Sequence, residues 1–398
     1  MSLPVLRLNP HRDRRLRAGH LWVYSNEIDT AATPIKRLEP GQPVVIENAR
    51  GRFIAHAYAN PHSLICARIT SRDREHPLDR SLLVHRLKIA LALRERRYPA
   101  TCYRLVFGES DGLPGLVVDR YGDHLVAQIG TAGMERLRED IVAALDKVLS
   151  PVSILWRNDN AVREIEGLDR YVEMAHGRVP DQVAVEEGGC RFMVSPTEGQ
   201  KTGWFFDQAA SRDRLIPQVE GMRVLDVCSY VGAWGVRAAH AGAREVVCVD
   251  ASARALEGVR ENAQANGVVD RVDGLQGDAF DTLRLLKAEG ERFDVVVLDP
   301  PAFIKRRKDM KEGVQAYRRL NEAAISLVSR DGLLVTASCS FHLSGDEFLR
   351  VVQQAARHGD RYLQLLEICR QGPDHPIHPA IPETAYLKAL YLRVLPGM

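Results

Sequence analysis

Four aspartates, one glycine-bearing loop and one cysteine carry the chemistry that this sequence of 398 residues offers. Asp226 opens the stretch Asp226-Val-Cys-Ser-Tyr-Val-Gly-Ala-Trp-Gly235, and Gly232 within it lets the backbone come close to a ligand in a strand-to-helix turn. Asp250 stands 24 residues further on, where an acid can accept both hydroxyls of a ribose. In Gly277-Asp278-Ala279-Phe280 a carboxylate and an aromatic ring can flank an adenine. Asp299-Pro300-Pro301-Ala302-Phe303 makes a stiff, extended turn that can hold a carbonyl and a carboxylate against a planar base. One Asp after a strand is usually a cap or turn residue, but three at successive strand ends make that a poor joint explanation. The GxGxxG fingerprint is absent, and Gly199-Gln-Lys-Thr202 lacks the Gly-Lys pair of a P-loop. Acceptors for a ribose and an adenine, without a phosphate cradle, describe S-adenosylmethionine.

These residues need a scaffold that brings strand ends together. From about residue 200 short apolar strands alternate with helical segments. Strands are expected over 224–227, 245–249, 294–298 and 332–336, and helices over 233–241, 252–266, 311–329 and 344–357. Strands buried on both faces with helical crossovers predict an α/β fold, a doubly wound and mostly parallel Rossmann-like sheet. Ligands bind such sheets at the carboxyl ends of the strands, so the loops after 227, 249, 298 and 338 are the ones to inspect.

Upstream the pattern differs. Residues 1–75 read as short strands, among them Leu21-Trp-Val-Tyr24 and Val44-Val-Ile46, bounded by turn residues. Residues 78–97 show helical periodicity and end before Pro99. Over 102–195 strand and helix mix, with Gly115–Asp119 and His124–Gln128 as a hairpin and a helix over about 133–148. The expected division is 1–75, a β-rich module; 76–195, a linker helix and a small α+β domain; and 196–398, the Rossmann-like domain.

Charge is uneven. Residues 1–100 hold 18 Lys and Arg against 9 Asp and Glu, while residues 101–398 hold 36 against 43. Arg7, Arg12, Arg14, Arg15 and Arg17 crowd the first 20 residues, and Lys305, Arg306, Arg307, Lys308 and Lys311 follow the Asp-Pro-Pro turn. Such basic fields suit a polyanion; the plainer alternative is a solvated face. Mean hydropathy is -0.21, and no apolar run nears the roughly 18 residues that span a bilayer. A secretory signal is not expected, and a cytoplasmic protein is.

The seven cysteines, 66, 102, 190, 228, 248, 339 and 369, include no CxxC pair and suit a reducing compartment. Most read as small buried apolar residues, and Cys228 as backbone filler in the loop after Asp226. Cys339, at the end of a central strand, is the exception. Cytosine C5 is a poor nucleophile, and a thiolate adding to C6 makes it enamine-like, able to attack a sulfonium methyl. His375 and His378, in Asp-His-Pro-Ile-His-Pro, lack an evident third ligand, so no metal is expected.

Together these residues resemble the class I S-adenosylmethionine-dependent RNA methyltransferases, and among them the bacterial RlmI-like family of 23S rRNA cytosine-C5 methyltransferases. Further pieces of the resemblance are Gly19-His-Leu-Trp-Val-Tyr-Ser25, Phe107-Gly-Glu-Ser-Asp-Gly-Leu-Pro-Gly115, Lys201-Thr-Gly-Trp-Phe-Phe-Asp-Gln208 and Asp374-His-Pro376. It implies a PUA-like RNA-binding domain and a central α+β domain before the catalytic domain. It implies that Lys201, Phe206 and Gln208 lie against the cofactor, together with Asp226, Cys228, Ser229, Tyr230 and Gly232. It implies Asp250 on the ribose, Asp278 near the adenine, Asp299 and Pro300 near the methyl group and target base, and Cys339 as nucleophile. A second cysteine, which many RNA cytosine-C5 methyltransferases carry after the proline, is here Ala302. That leaves removal of the C5 proton unassigned, with Asp299 as candidate. The expected partners are 23S rRNA or a large-subunit assembly intermediate, with no membrane, and a second copy in a homodimer. Two alternatives stay open: methylation of an exocyclic amino group on adenine or guanine, with Cys339 a bystander, and an RNA-binding factor that keeps the fold without the activity.

Overall fold

The computed structural model describes residues 3–397 and divides into two compact units. The first comprises residues 1–183, 195–206 and 373–384, and the second 184–194, 207–372 and 385–398. This division cuts across the three consecutive segments expected from the sequence. The cause is visible inside the first unit, where two buried arginines hold the segment near Asp374. Arg94 donates to the Asp374 carbonyl at 2.7 Å, and the Arg104 N–H donates to Oδ2 of Asp374 at 3.0 Å.

Within the first unit, a five-stranded sheet runs in the order Val5–Arg7, Gln42–Glu47, Phe53–Ala59, Ile65–Ser71 and Trp22–Tyr24. A second five-stranded sheet is built from Tyr171–Gly177, Ser153–Asn158, His124–Ile129, Leu116–Tyr121 and Cys102–Phe107, in that order. The expected hairpin pairs Leu116 with Ile129 and Tyr121 with His124. Helices Arg80–Arg97 and Arg138–Leu149 pack together, burying Leu83, Leu87, Ile141 and Leu145 in the core of this second sheet. Buried polar contacts join the two sheets: Tyr58 donates to the Pro114 carbonyl at 2.6 Å, and Arg68 pairs with Glu166 at 2.9 Å. A buried charge has to be paired to be tolerated, and Glu166 meets that need for Arg68.

The second unit holds one seven-stranded sheet. Its strands are β1 (Arg223–Val227), β2 (Glu245–Asp250), β3 (Val272–Gln276), β4 (Phe293–Leu298), β5 (Val328–Ser338), β6 (Arg361–Cys369) and β7 (Lys388–Pro396). The spatial order is β3-β2-β1-β4-β5-β7-β6. The first five pair in parallel, and β7 runs antiparallel to both β5 and β6. The helices that follow the five parallel strands are α1 (Ala233–His240), α2 (Ala253–Ala265), α3 (Ala279–Ala288), α4 (Met310–Leu327) and α5 (Gly345–His358). The core joins Leu225, Val227, Val296, Leu298, Leu334 and Leu390 of the sheet to Tyr317 and Phe348 of α4 and α5. The sheet is mostly parallel, as expected; β1, β2, β4 and the four expected helices lie within about two residues of their expected bounds, whereas β5 starts four residues earlier than expected, at Val328. Strands β3, β6 and β7 lie outside the four ranges expected from the sequence. No helix is long and apolar enough to cross a membrane among the described residues.

Candidate active site

The β1–α1 turn is unusual in its backbone. Cys228, Tyr230 and Gly232 have φ of 63°, 50° and 85°, three left-handed residues in five. Only glycine adopts this conformation cheaply, and non-glycine examples cluster where a loop serves a ligand. At Gly232 a Cβ would also meet Cγ2 of Val236 at 2.9 Å. Three ties hold the loop. The Ser229 N–H donates to the Val249 carbonyl at 3.0 Å, and the Tyr230 N–H donates to Oδ2 of Asp250 at 2.9 Å. Buried Asn262 of α2 donates to the Val231 carbonyl at 3.0 Å, while its Oδ1 accepts the Met193 N–H at 2.7 Å.

The strand-end carboxylates converge on this loop. Asp226 is fully buried and accepts the Gly235 N–H at 2.9 Å. Burial, reinforced by the charges of Asp299 and Asp250, pushes its carboxyl up to about 7. Asp250 is half-buried and accepts the Ser252 N–H at 2.9 Å through Oδ1. Asp278 caps α3, its Oδ1 accepting from Phe280 at 2.9 Å and from Asp281 at 3.3 Å. Asp299 receives the Gln208 amide at 2.8 Å and the Trp234 indole N–H at 3.1 Å. Burial first, then the Asp207 charge, raises its carboxyl above the ordinary range. The Cys228 thiol, pushed up to about 12 mainly by burial, feels all four of these aspartates.

The cap or turn reading therefore describes real geometry for Asp226, Asp250 and Asp278, without using up their acceptors. A carboxylate offers about four lone-pair sites, and each of these spends one or two on the backbone. Asp226 Oδ1 and Gln208 Oε1 are buried without a hydrogen-bond partner. A hydroxyl- and amine-bearing ligand that is also cationic meets what such a cluster lacks.

At the far side of β4 the Asp-Pro-Pro turn leads to Phe303, whose ring lies 4.7 Å from that of Tyr317. Tyr317 is also the residue that sequence reasoning missed. Its hydroxyl lies 2.9 Å from Ser340 Oγ and 3.0 Å from Ser338 Oγ, so it bridges the two neighbours of Cys339. Ser340 Oγ also accepts the Ile304 N–H at 3.1 Å. Cys339 itself is half-buried at the end of β5. Lys305, Arg306, Arg307, Lys308 and Lys311 are all exposed.

Other candidates fall elsewhere. Lys201 and Phe206 belong to the first unit and Gln208 to the second. The Phe206 ring is buried there against Tyr121, with centroids 5.4 Å apart, and Lys201 lies over the Phe205 ring at 4.3 Å. His375 is buried and its Nδ1 lies 2.9 Å from Asp374 Oδ1. Among the described residues no cluster of three His, Cys, Asp or Glu can hold a metal ion. Arg7, Arg15 and Arg17 each face an acid, Glu47, Glu27 and Asp13, so the N-terminal basic run is partly neutralised.

The description PUA-like domain matches residues 6–72, and S-adenosylmethionine-dependent methyltransferase matches residues 167–393, more than half of the chain. Ribosomal RNA large subunit methyltransferase I of Aeromonas salmonicida (strain A449) is 38% identical over 388 residues, covering 96% of this chain and 97% of the relative. The chain belongs to the RlmI-like methyltransferase family. The protein of the same description from Vibrio cholerae serotype O1 is 36% identical over 400 residues, covering 98% and 100%. A protein described as a methyltransferase and crystallised with SAH shares the fold, with a TM-score of 0.85 at 21% identity over 98% of this chain and all of that one. The family's cofactor is S-adenosylmethionine, and the β1–α1 loop with its surrounding carboxylates fits it: a close-approach turn, buried unpaired acceptors and negative charge.

Proposed function

We propose that this methyltransferase modifies C5 of a cytosine in large-subunit ribosomal RNA, through a covalent bond between Cys339 and C6. The observation that carries the reading is the mounting of Cys339. It is a half-buried thiol at a strand's carboxyl end, with both neighbours pinned by Tyr317 and Ile304. The relatives named above act, by their names, on large-subunit ribosomal RNA. The PUA-like region and the exposed basic stretch 305–311 offer phosphate contacts that position an RNA without reading its sequence. The substrate is rRNA, free or in an assembling subunit, with its target base single-stranded or turned out of the stack.

S-adenosylmethionine supplies an electrophilic methyl group. The chain does the rest. The Cys339 thiolate adds to C6, and the electron pair moves onto C5, which would take the methyl group as the sulfonium–methyl bond breaks and the neutral thioether leaves. Asp299, whose raised carboxyl is suited to holding a proton, takes the proton from C5, and the thiolate leaves from C6. Asp226, Ser229, Tyr230 and Gly232 line the cofactor's place, with Cys228 contributing backbone. Asp250 accepts from the ribose, Asp278 sits toward the adenine, Gln208 orients Asp299, and Pro300 stiffens the turn.

The alternative, an exocyclic amino group of adenine or guanine, needs an aromatic face after the Pro-Pro turn. Phe303 is half-buried, and its ring packs against the buried Tyr317, 4.7 Å between centroids, which takes up one of its faces. Mass analysis of the methylated nucleoside separates the two readings. The expected product is 5-methylcytidine, lost completely in Cys339→Ala; N-methylated adenosine or guanosine, formed equally by Cys339→Ala, contradicts the proposal.

A further inference from the structure

Lys388 is a cation that the scheme above does not use. It begins β7 and pairs across the sheet with Ser338, the last residue of β5. The residue is 7% exposed, and lysine is rarely buried without a reason. Nζ donates to the Ser340 carbonyl at 2.6 Å and to the Tyr386 carbonyl at 2.9 Å. Both partners are neutral, so its charge is not cancelled by a bonded carboxylate. The Ser340 carbonyl belongs to the residue that follows Cys339, which puts the ammonium at the base of the nucleophile's turn.

We propose, building on Cys339 as the nucleophile, that the buried Lys388 ammonium is a positioning residue that keeps the Cys339 thiol ionised and holds its turn in place. The proton lost by the thiol goes to water, and Lys388 keeps its own. The charges acting on Lys388 are consistent with this. Burial lowers Lys388 to about 8, while Cys339 and Glu347 of α5 favour its charged form. The Glu347 carboxylate is occupied by its N-cap partner Ser344, which holds it below the usual carboxylate range. On the other side Tyr317 carries a phenol raised by burial, neutral at physiological pH, and it also senses Cys339. The ammonium is therefore a cation with no bonded counter-ion, the Tyr317 phenol is neutral, and the Glu347 carboxylate that acts on Lys388 is already engaged. A cation within about 4–6 Å lowers an acid by roughly one to three units, and the thiolate is the form that attacks.

The test is the pH dependence of iodoacetamide alkylation of the full-length protein, read by mass spectrometry on the peptide that contains Cys339. The expected wild-type profile has a midpoint clearly below the ordinary thiol value of about 8.5. Lys388→Gln keeps a hydrogen-bond donor without the charge, and its midpoint is expected about one unit higher or more, a roughly tenfold slower reaction at pH 7. Lys388→Arg is expected to keep the low midpoint. A wild-type midpoint at or above 8.5, or one that Lys388→Gln leaves unchanged, overturns the proposal; the wild-type arm needs no variant to fold. The nucleophile reading is scored separately, by whether the wild-type protein forms an adduct with 5-fluorocytosine RNA. An adduct with an unshifted midpoint defeats the lysine alone, and a shifted midpoint without an adduct defeats the nucleophile alone.

Discussion

At the residue scale, charge balance explains the cofactor side of the site. Four carboxylates meet at the strand ends, and burial plus mutual repulsion lift Asp226 to about 7. S-adenosylmethionine carries a sulfonium and an ammonium against one carboxylate, a net positive ligand that relieves this repulsion. Binding favours ionised Asp226. Near pH 7 it must therefore release protons, and affinity must rise as pH increases from about 6 to 8, then level off. Calorimetry in two buffers of different ionisation enthalpy measures that release, and Asp226→Asn should flatten the dependence. The sign for stability is the reverse. A carboxyl raised in the folded state contributes stability that is full below the unfolded value near 4 and is lost as pH climbs through about 7. Thermal midpoints of the cofactor-free protein should fall over that window, less so in Asp226→Asn. Tyr317 makes a second case. Removing its hydroxyl in Tyr317→Phe leaves Ser338 and Ser340 with one partner fewer, worth about 1–3 kcal/mol for a buried group. Alkylation of Cys339 should become less uniform while cofactor affinity is unchanged.

At the scale of elements, the turn after β1 depends on α2. Asn262→Ala removes both the donor to Val231 and the acceptor for Met193. A loss of about 2–3 kcal/mol is expected, with cofactor affinity falling while Cys339 alkylation keeps its profile. Chemical unfolding and calorimetry check the two halves. The strands that carry chemistry were the legible ones. β1, β2, β4 and the end of β5 are apolar runs closed by Asp or by Ser-Cys-Ser, and the helices between them hold a 3.6-residue period. β3 is short and partly exposed, so Val272–Gln276 has little apolar signal. β6 alternates only loosely and leaves Tyr362, Leu365, Leu366 and Ile368 exposed, and its antiparallel pairing with β7 is set by tertiary contact. Lys388 and Tyr317 were invisible for the same reason: one opens an unanticipated strand, and the other lies mid-helix, where an aromatic residue ordinarily means core. The cysteine was legible because its place at a strand end follows from topology; the groups that tune it depend on packing.

At the scale of the whole molecule, the chain is two units interleaved in sequence, and the second carries Cys339 and the four strand-end aspartates. Interleaving has no local sequence signal, since it rests on Arg94 and Arg104 reaching Asp374 some 270 to 280 residues away. RNA affinity should be electrostatic in large part. Because three of the five early arginines face acids, whereas in 305–308 Arg306 alone does, through Asp309, the exposed stretch 305–308 should carry more of the salt dependence than the N-terminal count suggests. Replacing Lys305, Arg306, Arg307 and Lys308 by Ser should lower the slope of log affinity against log salt by about three to four, with cofactor binding intact; fluorescence anisotropy across a salt series reads this. The central claim concerns bond formation and is tested most directly by trapping. The protein is incubated with S-adenosylmethionine and rRNA in which 5-fluorocytosine replaces cytosine, which blocks loss of the C5 substituent, and is run on a denaturing gel. The account predicts a denaturant-stable protein–RNA adduct that disappears in Cys339→Ala. Methyl transfer to ordinary rRNA with no adduct on the fluorinated one would contradict it.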